Sequence, residues 1–437
     1  MTATIIATPR VGLIDTPVQI RLHGFDPHTL LTLTAAVDVP GYSDWGASAT
    51  FVTDAAGSVD LDTAVPVDGS YSIPDAGGLI WSLAPMPSSG RRPGSTRFLE
   101  SGLADYIVHL EASSGGNVLA DADLVRQPVA PGVQRLQIRE GGVIGTLFLP
   151  DGEGPFDTIV VLPGSNGGVP EDLPALYASR GYAALGLGYF GVEGAREIPA
   201  ELVHVPLEYF VSAFDWLDGR EDLRTDRLIV DGTSRGGELA LLLASRMPRV
   251  TAVIAWVPSL YVYRAFSADP ASSAMSAWTW KGDPLPFVPA ASASQFAVAP
   301  QRDGEPVKAL VDIARIPSDP EHLDARIPVE DISGPVLLIS GRDDALWPSA
   351  VFADWALEQL DQAGFAHEYT HLSYPNAGHT VGPALGPTTV LGDWDEGHGH
   401  LHSYGGTPEG VALARRDLWP RVLDFIERHH STRRTVN

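Results

Sequence analysis

Apolar and polar positions alternate one for one early in the chain, and the period changes further on. Val18, Ile20 and Leu22 are interleaved with Gln19 and Arg21, and YIVHLEA at 106–112 is another short run of β type. Gly24, Pro27, Pro40-Gly41, Gly57, Gly69 and Gly77-Gly78 punctuate the region as turn formers. Short strands between closely spaced turns predict an all-β sandwich over residues 1–130. The run QPVAPG at 127–132 reads as a linker.

Residues 133–149 predict a hairpin turning near Gly141-Gly142, and the alternation then gives way to continuous apolar runs. These are TIVVL at 158–162, YAALGL at 182–187, LIV at 228–230, AVIAW at 252–256 and PVLLI at 335–339. Strands buried on both faces look like this. Helix-like segments at 173–180, 207–217 and 238–246 lie between several of them. Strand and helix in alternation predict a doubly wound, mostly parallel sheet, hence an α/β domain over 131–437. An insert at 259–325, rich in Ala, Ser, Pro and aromatics, interrupts it. An insert of that length without clear elements reads as a lid or a binding element.

The run DGTSRGGELA at 231–240 follows one apolar strand and opens a helix. It contains G-x-S-x-G, centred on Ser234. In a strand–elbow–helix context the glycines admit a strained turn that raises the serine Oγ at the carboxyl end of the sheet. A serine nucleophile needs a base, and the base needs an orienting carboxylate. Both follow in the order acid, then histidine. The strand PVLLIS at 335–340 ends in Gly341-Arg342-Asp343-Asp344, and the strand before Pro375 ends in Asn376-Ala377-Gly378-His379. Asp344 is preferred as the acid, with Asp343 as a cap of the following turn. The oxyanion donors are expected to be the Arg235 amide and an amide of the glycine loop PGSNGG at 163–168, Ser165 ahead of Asn166.

Composition narrows the partners. The 437 residues carry a formal net charge of −25, which argues against nucleic acid and anionic membranes as partners. A small-molecule substrate is expected instead. The absence of cysteine removes disulfides, thiolate catalysis and Cys-ligated zinc. With no basic start before an apolar core and no 18-residue apolar run, neither a signal peptide nor a membrane span is read, and the expected location is the cytoplasm. The histidines His398, His400 and His402 alternate, with Asp393, Asp395 and Glu396 nearby. The glycine-rich setting makes them loop residues at the mouth of the site, so neither a metal nor another cofactor is expected. The sequence does not speak to oligomeric state.

These motifs together resemble the acyl-CoA thioesterase and bile acid-CoA:amino acid N-acyltransferase family. The resemblance rests on GTLFLP at 145–150, the 164–168 loop, LEYF at 207–210 and SRGGEL at 234–239. It continues through IPVE at 327–330, GRDD at 341–344, YPNAGH at 374–379 and YGG at 404–406. It covers most of 133–430, and GGLIWSLAP at 77–85 is its clearest match in the N-terminal region. It implies an α/β-hydrolase domain behind a β-sandwich, with a Ser234–His379–Asp344 triad. The thioesterase branch carries serine at the nucleophile position and the transferase branch often cysteine. Serine in a chain without cysteine therefore points to hydrolysis of an acyl thioester, on CoA or a carrier protein. Transfer of the acyl group to an amine or alcohol, and esterase or lactonase activity, are the alternatives. Arg235 stands where the family commonly has lysine.

Overall fold

The computed structural model describes residues 2–38, 45–86, 102–289, 297–298, 309–310, 323–383, 385–395 and 400–430. The chain forms two compact units. The first is Met1–Ala130 with Pro383–His402 and Thr407–Arg415; the second is Pro131–Gly382 with Ser403–Gly406 and Arg416–Asn437. Composition suggests one boundary near residue 130, yet two later segments join the first unit. Long-range hydrogen bonds tie one of them in: the Thr388 amide reaches the Trp81 carbonyl at 2.8 Å, and Thr389 Oγ1 the Leu83 carbonyl at 2.5 Å.

The first unit is a β-sandwich. One sheet joins Thr4–Thr8, Gln19–His23 and Val59–Asp60. The other runs through Val11–Leu13, Asn117–Gln127, Tyr106–Ser114, Leu30–Asp38, Trp45–Val52 and Asp68–Gly69, with Ala84–Pro85 paired to Trp45–Val52. The alternation is resolved as expected, with Val18, Ile20, Leu22, Tyr106, Val108, Leu110 and Ala112 all buried. One piece is not β: Gly78–Trp81 forms a single helical turn.

The second unit is built on an eight-stranded sheet. In chain order its strands are β1 (Gln134–Glu140), β2 (Val143–Leu149), β3 (Phe156–Leu162), β4 (Ala183–Leu187), β5 (Leu223–Thr233), β6 (Val250–Trp256), β7 (Val336–Gly341) and β8 (Tyr369–Tyr374). Their spatial order is β1-β2-β4-β3-β5-β6-β7-β8. The pairs β1/β2 and β2/β4 are antiparallel, and the rest are parallel. The helices α1 (Asp172–Ser179), α2 (Glu208–Asp218), α3 (Arg235–Arg246), α4 (Ser349–Ala363) and, from Arg416 onward, α5 (Pro408–His430) complete the α/β-hydrolase fold. The chain leaves β3 for β4 on one side and returns to β5 on the other, so the order reverses there. In open α/β sheets such a reversal places the ligand crevice at the carboxyl ends of the strands. Leu162 at the end of β3 lies beside Gly232 near the end of β5, so the glycine loop and the serine elbow emerge together.

The described part of the insert, expected as a lid or a binding element, contributes side chains to the core of the second unit. Leu260, Val262, Ala277, Trp278 and Val288 are buried in the core of the second unit. Trp278–Trp280 pairs with Val205–Pro206 and Asp283–Pro284. Burial of so many apolar side chains makes this stretch part of the wall. Most of 290–322 lies outside the described residues. No helix among the described residues is long and apolar enough to cross a membrane.

Candidate active site

Ser234 follows the end of β5 and caps α3, with φ 58° and ψ −115°. That is the conformation of the first central residue of a type II′ turn, normally taken by glycine. The turn is held by the Ser234 amide donating to the Trp256 carbonyl at 2.8 Å and the Glu238 amide donating to the Ser234 carbonyl at 3.0 Å. The flanking glycines are sterically required. A methyl at Gly232 would lie 2.0 Å from the Gly236 carbonyl oxygen, and one at Gly236 would lie 2.5 Å from that of Pro163.

The structure brings Ser234, His379 and Asp344 together. His379 Nε2 lies 2.9 Å from Ser234 Oγ, and His379 Nδ1 lies 2.8 Å from Asp344 Oδ2. Asp344 is 2% exposed at its side chain, so its charge has to be met by protein donors. Ser349 Oγ donates to Oδ2 at 2.6 Å, and the Leu346 and Trp347 amides donate to Oδ1 at 3.0 and 3.3 Å. Sequence reasoning assigned the turn cap to Asp343. The turn is capped by Asp344 itself, and Asp343 is exposed. One Asp344 oxygen orients the histidine while the other stabilises its own loop. The participation of Ser349 was not legible, since no local motif marks a serine at the start of a helix as a carboxylate donor.

Of the expected oxyanion donors, Arg235 is the first residue of α3, where helix amides lack internal acceptors and the dipole favours negative charge. The 163–168 loop folds close by. A methyl on Gly164 would lie 3.5 Å from Ser234 Cβ. The Gly167 amide is taken by the Gly164 carbonyl at 3.2 Å, and the Gly168 amide by that of Phe190 at 3.0 Å. Ser165 and Asn166 occupy the middle of this turn, and among the described residues no backbone carbonyl takes either amide.

Two buried carboxylates lie behind the elbow. Asp231 receives Tyr177 Oη at 2.6 Å and Trp256 Nε1 at 2.9 Å, and burial pushes its carboxyl up to about 7. Glu238 lies 3.1 Å from the Arg235 guanidinium and accepts Trp278 Nε1 at 2.8 Å. Burial outweighs the attraction of Arg235 and raises Glu238 to about 7 as well. Arg235 Nη2 also donates to the carbonyls of Tyr263 and Arg264 at 3.2 Å each, tying the insert to α3. A lysine at this position has no planar fork to span these acceptors.

The histidine cluster differs from the expected loop. His400–Ser403 is a short strand paired with Gly392–Asp395. His398 and Glu396 lie outside the described residues, and among those described no three His, Asp or Glu side chains converge as a metal site.

Fold and site define an α/β hydrolase with a Ser–His–Asp arrangement at its elbow. Residues 205–432 match the BAAT / acyl-CoA thioester hydrolase C-terminal model, and residues 15–140 match the acyl-CoA thioester hydrolase/BAAT N-terminal region. The chain belongs to this family. Acyl-coenzyme A thioesterase 3 of Mus musculus is 30% identical over 98% of this chain and 95% of its own length. Acyl-coenzyme A amino acid N-acyltransferase 2 of Rattus norvegicus is 31% identical over 97% of each. A putative dienelactone hydrolase from Klebsiella pneumoniae subsp. pneumoniae overlaps with a TM-score of 0.40 at 18% identity, covering 67% of this chain and 97% of that one.

Proposed function

We propose that the protein hydrolyses an acyl thioester, with acyl-CoA as the first substrate class to test, through an acyl-Ser234 intermediate. The observation that carries the reading is the unbroken relay Ser234 Oγ–His379–Asp344, with links of 2.9 and 2.8 Å, on an elbow whose backbone exposes the hydroxyl. Ser234 Oγ attacks the thioester carbonyl and His379 Nε2 takes its proton. The tetrahedral oxyanion is held by the Arg235 amide and the Ser165 amide, with Asn166 as the other donor in reach of the loop. Collapse expels the thiolate, which His379 protonates. His379 then takes a proton from water, whose oxygen attacks the acyl carbon; collapse of this second tetrahedral intermediate breaks the acyl C–Oγ bond, and His379 returns the proton to Ser234 Oγ as the acid leaves. Asp344 holds the imidazole tautomer throughout. No metal or redox group enters any step.

The relatives include thioesterases and N-acyltransferases at nearly equal identity, so similarity does not choose between water and an amine as acceptor. Serine favours water. An acyl-serine is an oxyester, and oxyesters are less prone than thioesters to aminolysis relative to hydrolysis. A panel of acyl-CoAs and matched simple esters, with and without excess glycine or taurine, tests this by mass spectrometry. Free acid as the dominant product from acyl-CoA supports the hydrolase. Amide as the dominant product assigns transfer, and turnover of the oxyesters alone assigns an esterase.

A further inference from the structure

Asp344 and His379 stand on separate loops, after β7 and after β8, and the distance between them depends on how those loops are held. Four residues far along the chain, Ser403–Gly406, belong to the second unit although the segments on either side belong to the first. They lie against both loops. The single carbonyl oxygen of Tyr404 accepts the His379 amide at 2.7 Å and the Ala345 amide at 3.3 Å. Gly405 forms an antiparallel bridge with Asp344, and Gly406 forms one with Ala377. Ser403 Oγ accepts the Gly405 amide at 3.0 Å and fixes the turn that presents these groups.

The packing admits nothing larger than glycine. Gly405 and Gly406 have φ of +76° and +74°, which L side chains rarely adopt. A methyl on Gly405 would stand 1.8 Å from the Asp343 carbonyl oxygen, and one on Gly406 would stand 2.4 Å from the Gly378 amide nitrogen. The loops are equally bare on their own side. A methyl on Gly378 would lie 2.2 Å from the Gly405 carbonyl oxygen, and one on Gly341 would lie 2.2 Å from that of Ala377. Three backbones therefore meet here: the two loops touch directly, the Asp343 amide donating to the Ala377 carbonyl at 3.0 Å, and the strap packs against both and braces that contact.

We propose that Tyr404, Gly405 and Gly406 form a positioning strap that holds the acid loop and the histidine loop in register for proton transfer. This rests on the reading of Ser234, His379 and Asp344 as the reacting set. The strap meets the two loops chiefly through backbone groups, and the Tyr404 ring lies 6.4 Å from the His379 ring, centroid to centroid. It acts by fixing the His379–Asp344 link, and a misplacement of about 1 Å in such a link costs on the order of 100-fold in rate.

The test uses the full chain and a fluorophosphonate probe, with Gly405→Ala and Gly406→Ala as the strap variants. Gly364→Ala serves as the comparator, because Gly364 also has positive φ (+62°) but faces open space, so it reports backbone strain alone. Expected are probe labelling of Ser234 slowed about 100-fold in both strap variants, KM within about threefold of wild type, and loss or displacement of the far-downfield proton resonance of the His379 Nδ1–Asp344 bond. Gly364→Ala should lose thermal stability and keep all three. Folded strap variants that label at the wild-type rate with the resonance unmoved overturn the strap. If the alanine variants do not fold, Ser403→Ala decides: labelling should slow about tenfold and recover in Ser403→Thr, and unchanged labelling overturns the proposal. Wild-type protein that takes no label at Ser234 removes the nucleophile reading instead, a separate outcome.

Discussion

Ser234 combines a strained backbone with the hydroxyl proposed as nucleophile. Its backbone sits where a side chain is disfavoured, at a cost of about 1–3 kcal/mol. Ser234→Ala keeps that strain and removes the hydroxyl. Thioester hydrolysis should fall by several orders of magnitude while the fold persists, because binding and oxyanion contacts alone retain only ~10³–10⁴ over the uncatalysed rate. Ser234→Gly removes both and should raise stability by about 1 kcal/mol or more, read as a higher denaturation midpoint. An unchanged midpoint in the glycine variant would show that the elbow is not strained in solution. The neighbouring aspartates separate by environment. Asp344→Asn puts an amide NH₂ where donors converge and leaves His379 without an orienting carboxylate, so kcat should fall ~10⁴-fold. Asp343→Asn changes an exposed side chain and should stay within about threefold of wild type. Steady-state kinetics on the pair checks this, and the reverse ranking would mean that the wrong carboxylate was chosen.

Paired strands create a second serine–histidine–aspartate array with no elbow. Ser340 on β7 lies 2.6 Å from His371 Nε2 on β8, and His371 Nδ1 lies 2.9 Å from Asp354 on α4. Arg342 clamps the other Asp354 oxygen at 2.6 Å. The residue types and distances match those around Ser234, but Ser340 is 0% exposed inside a parallel strand. With Ser340 fully buried, a substrate carbonyl has no access to it. The array joins β7, β8 and α4, the elements that carry the two loops of the site. A fluorophosphonate should therefore add one label per chain, found by peptide mapping at Ser234. Label at Ser340 would show that hydrogen-bond geometry outweighs access. Sequence periodicity placed β5 at its apolar end only. The structure starts it at Leu223, because Arg224, Thr225, Asp226 and Arg227 continue the strand through edge polar positions that no apolar run could mark.

Across the second unit, buried titratable groups give stability an opposed dependence on pH. Burial holds His430 down to about 4 and also lowers His371, with Asp354 pulling the latter back up only in part. The unfolded chain binds these protons near pH 6.5. Their contribution is thus full above pH 6.5 and is lost as pH falls toward 4, by on the order of 3 kcal/mol for His430. Asp231 runs the other way. Its carboxyl titrates near 4 when unfolded and near 7 when folded, so its contribution is full below about 4 and is lost as pH rises through about 7. Asp231→Asn should gain stability over wild type steadily between pH 4 and 7, and His430→Leu should flatten the acid decline. Thermal midpoints of the three proteins across that range provide the measurement. Parallel curves would mean that neither group changes its protonation on unfolding.

What the sequence determined by itself was the set of candidate site residues and their order along the chain. A serine between glycines after an apolar run, an aspartate past one later strand and a histidine past the next are local patterns tied to strand ends, and strand ends in a doubly wound sheet converge on one edge. Period and turn chemistry are short-range, so the sandwich and the parallel sheet could be read, as could the candidates Ser234, Asp344 and His379, which the fold brings within hydrogen-bond distance. What only the tertiary structure decided depends on atoms far apart in the chain. The duty of Asp344 as its own loop's cap is of this kind, as are Ser349 donating to the same carboxylate oxygen that meets His379, the core role of Trp278 in the insert and the placing of Gly405 against the acid loop. So is the burial of Ser340, whose histidine and aspartate partners match those of Ser234 in type. Exposure and backbone contact are set by how the elements pack, and no stretch of sequence contains that information on its own.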